Sequence, residues 1–430
     1  MNRTIRRLSV AAVVSALVLT ACGRGGDDDS GGGDGATGPG VTEEPCPDAV
    51  DDTKGCIYLG TISDLTGAFK GVGVPLTAGG AAFWQYVNEN GGVGGYEVNV
   101  TEYVRDNAYN PEVHAQVYSE IKEDVLAMAQ SLGTVATEAM LMDADAEELL
   151  VVPATLGSNW YFEDRVLELG TSYCAEAMNA VDYGVDELEA DKVAVVHFPG
   201  DYGDDAMVGA RIAAEERGVE FTDIQTGPGA DQQAAAVKAV VDSEADLVVI
   251  ATGPLEVAAV VGGSVQQGFK GKFVGSIPTW NAALLQSPAG PALQASYLWA
   301  TSFPLWDTES AGFEAMRAAN GDATPNDYFA LGWTGGYIMK AVLEQAIEND
   351  DLTRAGLLEA ATGLDGIDSE GMLPEGSANY AGDANDAAVR ATQLGVPTPG
   401  TSTGIAPSVD FFTGPTAEGY DFQEACYLQK

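Results

Sequence analysis

The sequence predicts an α/β chain folded as two doubly wound, mostly parallel-sheet lobes joined by a hinge. Three observations carry this expectation. From residue 57 onward, short β-branched runs alternate with segments of helical period. The alternation occupies residues 57–155, then begins again at residue 192. The run at 247–251, Leu-Val-Val-Ile-Ala, is apolar throughout, as a strand covered on both faces is.

Residues 57–62 read as the first strand and residues 75–88 as a helix opened by Pro75. A strand at 96–103, a helix at 110–122, a strand at 125–131, a helix at 134–148 and a strand at 149–155 follow. The second half runs strand 192–196, helix 204–217, strand 219–224, helix 232–243, strand 247–251 and helix 255–267. A strand at 273–277 and a short helix at 281–285 complete it, and helices resume at 309–320, 328–349 and 354–362. Regular βα alternation implies right-handed crossovers around a parallel sheet. Two such lobes set their strand ends, and any ligand, on facing edges of a cleft. Lobe 1 is expected over residues 46–173 with a return segment near 303–350, and lobe 2 over 174–302 with a C-terminal segment near 351–430. The stretch 371–404, rich in Gly, Pro, Ala and Thr, matches no motif and is expected to wrap over lobe 2.

The amino terminus reads as an export signal. Arg3, Arg6 and Arg7 precede an apolar stretch at 8–19 that is too short to span a bilayer, and Leu19-Thr20-Ala21-Cys22 follows. This resembles the lipobox of bacterial lipoproteins. Residues 1–21 are then a signal peptide, and Cys22 is the lipidated first residue of the mature chain. The Gly/Asp-rich segment 22–45 cannot bury a core and is expected to be a flexible tether. The expected location is extracytoplasmic, lipid-anchored to the outer face of the cell membrane.

The formal charge is −44, from 64 acidic and 20 basic residues. Such a field repels nucleic acid and anionic head groups, so neither is an expected partner. Beyond Cys22 stand Cys46, Cys56, Cys174 and Cys426. An even number outside the cytoplasm points to disulfides, with three connectivities open. The favoured pairing is Cys46–Cys56, stapling the tether to the first strand, with Cys174–Cys426 tying the C-terminus to lobe 2. Buried free thiols are the alternative. No Cys/His cluster or CxxC spacing suggests a metal, and no cofactor is expected.

Several short motifs occur in a telling order. Ser63-Asp64-Leu65-Thr66-Gly67 follows the first strand, and Asn88-Glu89-Asn90-Gly91-Gly92-Val93-Gly94-Gly95 the first helix. Asp106-Asn107-Ala108-Tyr109-Asn110-Pro111 ends the second strand, and Gly200-Asp201-Tyr202-Gly203 follows the first strand of the second half. Together they resemble the leucine/isoleucine/valine-binding family of ABC-transporter substrate-binding proteins, of type I periplasmic fold, over about residues 58–342. The resemblance implies a monomer that captures an amino acid or related small polar solute between its lobes and presents it to a membrane permease. A ligand-sensing lipoprotein with a separate signalling partner is the alternative.

The resemblance also assigns candidate contacts. Thr137, in the run 133–137, matches the hydroxyl that joins helix-start amides in holding a ligand carboxylate. Ser158, Asn159 and Trp160 follow the next strand, where further contacts fall. Tyr202 matches a tyrosine reaching over the ligand from lobe 2. Leu65, Gly253 and Trp280 lie at other strand ends. Amino-acid binders of the family carry an acid near Trp280 to pair with the ligand ammonium, yet residues 275–281 hold none. Asp201 or Glu256 takes that role, or the ligand lacks an ammonium. An enzyme is not expected: the two histidines, His114 and His197, belong to no GxSxG or HExxH constellation and read as surface or loop residues.

Overall fold

The computed structural model describes residues 36–381 and 388–429. The predicted signal peptide, Cys22 and most of the tether lie outside the described residues. Strands β1 (Ala36–Thr37) and β2 (Val41–Thr42) precede the nine-residue β3 (Gly55–Ser63), whose chain is the axis of lobe 1. Then come α1 (Lys70–Glu89), β4 (Tyr96–Asn99), β5 (Val104–Asp106), α2 (Pro111–Ile121), β6 (Ala127–Ser131), α3 (Thr134–Ala146) and β7 (Val151–Pro153). β4 and β5 run parallel to successive halves of β3, and β6 and β7 extend the sheet in parallel. The strand expected at 96–103 is thus two strands, interrupted where residues 101–103 turn.

Helix α4 (Tyr173–Leu188) leads into lobe 2, followed by β8 (Lys192–His197), α5 (Asp201–Arg217), β9 (Glu220–Gln225), α6 (Ala234–Ser243) and β10 (Leu247–Ala251). Next are α7 (Pro254–Gln266), β11 (Lys272–Gly275), α8 (Gly290–Ser296) and β12 (Tyr297–Thr301). The chain returns to lobe 1 with α9 (Ala311–Asn320), α10 (Asp327–Glu348), β13 (Asp351–Leu352) and α11 (Arg354–Thr362). It ends in lobe 2 with β14 (Thr392–Pro397), β15 (Ile405–Phe412) and α12 (Pro415–Gly419). The lobe 2 sheet has the order β15-β14-β12-β11-β10-β8-β9. Its last two strands in sequence, β14 and β15, pair antiparallel at the β12 edge.

Three boundaries differ from expectation. Helix α1 begins at Lys70, so Pro75 lies inside it rather than opening it. Residues 36–45 are not all tether: β1 pairs with β13 and β2 pairs with β3, because the backbone there finds ladder partners in lobe 1. The final return to lobe 2 falls after α11, not at residue 351. Arg354 opens α11 and donates to the carbonyls of Glu147 (3.2 Å), Val125 (2.9 Å) and Lys122, all in lobe 1. The 371–404 segment does not simply wrap the lobe; its end becomes β14 of the lobe 2 sheet.

Both favoured disulfides are present, Cys46–Cys56 and Cys174–Cys426. Among the described residues, no helix is long and apolar enough to cross a membrane.

Candidate ligand-binding cleft

The loops after β3, β5, β6 and β7 meet those after β8 and β11 across the cleft, with the start of α10 closing one side. A cavity open at its mouth lies between them. Lobe 1 supplies Phe69, Val72, Tyr109, Leu132, Thr134, Thr155 and Leu156. Lobe 2 supplies Tyr202, Ile277 and Pro278 from the opposite side. Tyr173 at the hinge and Tyr328 and Leu331 on α10 complete the wall, and no charged residue lines it.

Local sequence explains why these side chains point inward. Ala108 and Tyr109 adopt φ of 49° and 54°, a left-handed conformation that costs non-glycine residues energy. Asx-type bonds hold it: the Ala108 amide donates to Asp106 Oδ1 (2.9 Å) and the Tyr109 amide to Asn107 Oδ1 (2.8 Å). The turn sets the Tyr109 ring 4.5 Å from that of Phe69. From across the hinge, Tyr173 meets Tyr202 edge-on at 4.6 Å.

Two hydroxyls stand out in this apolar surface. Thr134, the first residue of α3, is 1% exposed and Thr155, just past β7, is 7% exposed. Neither Oγ1 has a hydrogen-bond partner. A buried hydroxyl without a partner costs about 1–3 kcal/mol, so both await an acceptor or donor that a ligand can bring. Thr134 also opens a helix whose first-turn amides and macrodipole favour an anion.

Carboxylates bridge the lobes beside the cavity. Asp201 Oδ2 of α5 accepts from the Val135 amide of α3 (3.1 Å). Asp205, also on α5, accepts from the Ser158 hydroxyl (2.5 Å) and amide (3.1 Å) and from the Cys174 amide (3.2 Å). Burial pushes the Asp205 carboxyl up to about 7. Tyr427, beside the Cys174–Cys426 bridge, donates to Glu138 of α3. Glu176 of α4 lies buried behind Ile277, whose amide donates to its Oε1 (3.3 Å), and burial pushes this carboxyl up to about 8.

Of the residues expected at the ligand, only Tyr202 lines the cavity. Thr137 is fully buried, with Oγ1 2.6 Å from Ser131 Oγ. It belongs to a chain of buried side chains through Ser131, His114 and Asn107. His114 is therefore not a surface residue, and desolvation lowers its pKa to about 4. His197 is likewise buried, 2.8 Å from Asp223 Oδ1 through Nε2. Ser158 serves Asp205, and Asn159 donates to Glu138 (2.9 Å). Trp160 packs in the lobe 1 core and donates to the Thr155 carbonyl (3.1 Å). Trp280 donates to the Thr403 carbonyl (3.1 Å) and stacks on Tyr297. Gly253 caps α7, and the Leu65 amide donates to Asp106 Oδ1 (3.0 Å). Neither suggested ammonium partner faces the cavity: Asp201 engages Val135, and Glu256 accepts from the Gly229 amide (2.6 Å).

Two α/β lobes closing strand ends over a small apolar cavity define a bilobal solute-binding protein. The chain belongs to the periplasmic binding protein family, whose profile matches residues 57–395. Its type I fold is that of the solute-binding proteins of ABC transporters. Among solved structures, the chain is 26% identical to a fatty acid ABC transporter substrate-binding protein from Thermomonospora curvata (TM-score 0.80), with 90% of this chain and 97% of that one covered. A branched chain amino acid ABC transporter protein from Thermus thermophilus, with bound valine, shares the fold at 20% identity (TM-score 0.74), covering 85% and 98%. A leucine-binding protein from Thermotoga maritima does so at 16% identity (TM-score 0.68), covering 82% and 98%. No curated sequence is significantly similar.

Proposed function

We propose that this chain is the solute receptor of an importer for a monocarboxylic acid with an apolar body, of the fatty-acid class. The observation that carries the reading is the composition of the cavity: apolar and aromatic walls, with two partnerless hydroxyls, Thr134 at the start of α3 and Thr155 just past β7. In this reading the carboxylate accepts from Thr134 and Thr155, while the hydrocarbon replaces water against Phe69, Leu132, Leu156 and Ile277. An α-amino acid fits less well, because its ammonium would meet no carboxylate in the lining. The relative from Thermomonospora curvata, described as a fatty acid binder, supports the same class.

Closure gives the signal for delivery. Tyr202 and Ile277 of lobe 2 contact the same cavity as Phe69 and Leu132 of lobe 1, so a ligand touching both favours the closed arrangement. A permease then distinguishes loaded from empty receptor by shape. Lipidation at Cys22 belongs to this reading as the device that keeps the receptor at the membrane.

Thermal unfolding of the purified chain with octanoate, octanol, leucine and valine tests the ligand class. A ligand at one hundred times its Kd stabilises by ~2.7 kcal/mol, a readily measured rise in Tm. Octanoate is expected to produce it, octanol to do so weakly, and the amino acids not at all. A larger rise with valine or leucine than with octanoate would sink the fatty-acid reading.

A further inference from the structure

A second, smaller apolar cavity is lined by Trp299, Phe303, Leu305, Phe313, Ala330 and Thr334 among others. Three residues line both this chamber and the cleft: Ile277, Tyr328 and Leu331. They are the partition between the two spaces, and they are 5%, 5% and 9% exposed. We propose that the second chamber receives the distal end of a long acyl chain, and that this partition sets the chain length the receptor accepts. The inference rests on the fatty-acid reading of the cleft and adds where a long tail goes.

The partition is built to part. Ile277 belongs to lobe 2, just past β11, whereas Tyr328 and Leu331 stand on α10, which packs with lobe 1. Only a few polar contacts tie them: the Tyr328 hydroxyl donates toward the carbonyls of Ile277 (3.2 Å) and Trp280 (2.9 Å). A rotation of one lobe against the other therefore changes the gap between Ile277 and Leu331 without unfolding either element. Phe303, Pro304 and Leu305 of the far chamber lie on the segment by which the chain crosses back between lobes, so an occupant there touches the hinge itself.

The lining chemistry suits hydrocarbon. Trp299 and Phe313 are buried, and the Trp299 indole N–H is already satisfied by the Ile277 carbonyl (3.0 Å). The one acidic lining residue, Asp327, has its carboxyl pushed up to about 7 by desolvation. Each methylene moved from water into such a chamber contributes about fourfold in affinity, so a tail crossing the partition gains affinity with every added carbon. A tail confined to the cleft stops gaining once the cleft is full.

The test is a binding series with octanoate, dodecanoate and hexadecanoate, each below its micelle concentration, on the full chain and two variants. Affinity of the unaltered chain is expected to rise steadily with length. Ala330→Phe fills the far chamber from a residue that does not line the cleft. It is expected to weaken hexadecanoate about tenfold or more and leave octanoate within about twofold. Leu331→Ala opens the partition, and is expected to raise the ratio of hexadecanoate to octanoate affinity even if Ala330→Phe fails to fold. A plateau beyond octanoate, an equal loss for all lengths in Ala330→Phe, or an unchanged ratio in Leu331→Ala would overturn the proposal while leaving the cleft reading intact. Failure of every acid to bind the unaltered chain would remove the fatty-acid reading, and this proposal with it.

Discussion

The hydroxyls of Thr134 and Thr155 make the sharpest residue-level test, because they have opposite consequences for the empty and loaded protein. Valine matches threonine in shape but cannot hydrogen-bond. Thr134→Val or Thr155→Val removes a buried hydroxyl that has no partner, so the empty protein is expected to keep or slightly raise its Tm. Binding of octanoate, measured by titration calorimetry, is expected to fall about tenfold in either variant, since a hydrogen bond to a charged group contributes ~1.5–3 kcal/mol. Unchanged affinity in both variants would place the carboxylate elsewhere. The sequence came within one helical turn of this site. The run Gly133 to Thr137 points to the start of α3, but Thr137 lies nearly one turn further along the axis, where it bonds Ser131, and Thr134 at the helix end lines the cavity. Thr155 ends the strand expected at 149–155, and the rule that ligands sit at strand ends finds it. Tyr202 was legible for a similar reason, being in the first turn of α5 immediately after β8. Tyr328 was not, because only the return of the chain to lobe 1 brings it to the cleft.

Packing of α1 on α10 shows what individual elements depend on. A Cβ on Gly332 would lie 1.9 Å from the Leu76 carbonyl oxygen, and one on Gly79 would lie 2.0 Å from that of Phe329. The two backbones meet where neither helix carries a side chain. Gly332→Ala is expected to destabilise by at least ~1–3 kcal/mol, read as a lowered denaturant midpoint, despite the higher helix propensity of alanine. It also shifts Leu331 and Tyr328, so loss of ligand affinity is expected alongside. A midpoint at or above that of the parent would mean the helices can separate cheaply. Elements with one clean period were legible: the strand 247–251 and the helix 354–362 lie where the pattern sets them. Helix α4 was not, because residues 173–182 are buried all round and its polar members are partnered inside. Asn179 donates to the Arg390 carbonyl (2.7 Å), and Asp182 accepts from the Thr416 amide (2.8 Å). β14 lies in a stretch rich in Gly, Pro, Ala and Thr, and its partner β12 lies far away in sequence; β15, with Pro407 inside it, has β14 as its partner and so depends on that same pairing.

At the scale of the whole molecule, a covalent tie and a set of buried acids govern stability. The Cys174–Cys426 bridge spans 252 residues and joins the start of α4 to the C-terminal turn, whose Cys426 amide donates to Ser158 of lobe 1 (2.8 Å). Replacing both cysteines by serine is expected to cost ~2–5 kcal/mol, measured by chemical denaturation, and to leave the Cys46–Cys56 bridge intact. The pH dependence follows from groups the fold buries. Desolvation pushes Glu168 and Glu176 up to about 8 and Asp205 up to about 7, from ordinary values of 4.5, 4.5 and 3.8. Between those limits the native protein holds protons that the unfolded chain releases. Stability therefore rises as pH falls from about 8, by ~1.4 kcal/mol for each group and pH unit in the window. The formal charge of −44 acts in the same direction, since protonation relieves self-repulsion. His114 opposes them: its pKa falls from 6.5 to about 4, so the unfolded chain takes up a proton there that the native state refuses. Tm is accordingly expected to climb as pH falls from about 8, less steeply below about 6.5 where His114 opposes the three carboxyls, and to level off near their ordinary values of 4.5 and 3.8. Scanning calorimetry across that range checks the sign, and Glu176→Gln is expected to reduce the slope between about 8 and 6. A Tm that falls on acidification from about 8 would mean these carboxyls are ionised in the native protein. Added salt at pH about 8 is expected to raise Tm by screening the acidic surface, and to strengthen octanoate binding for the same reason.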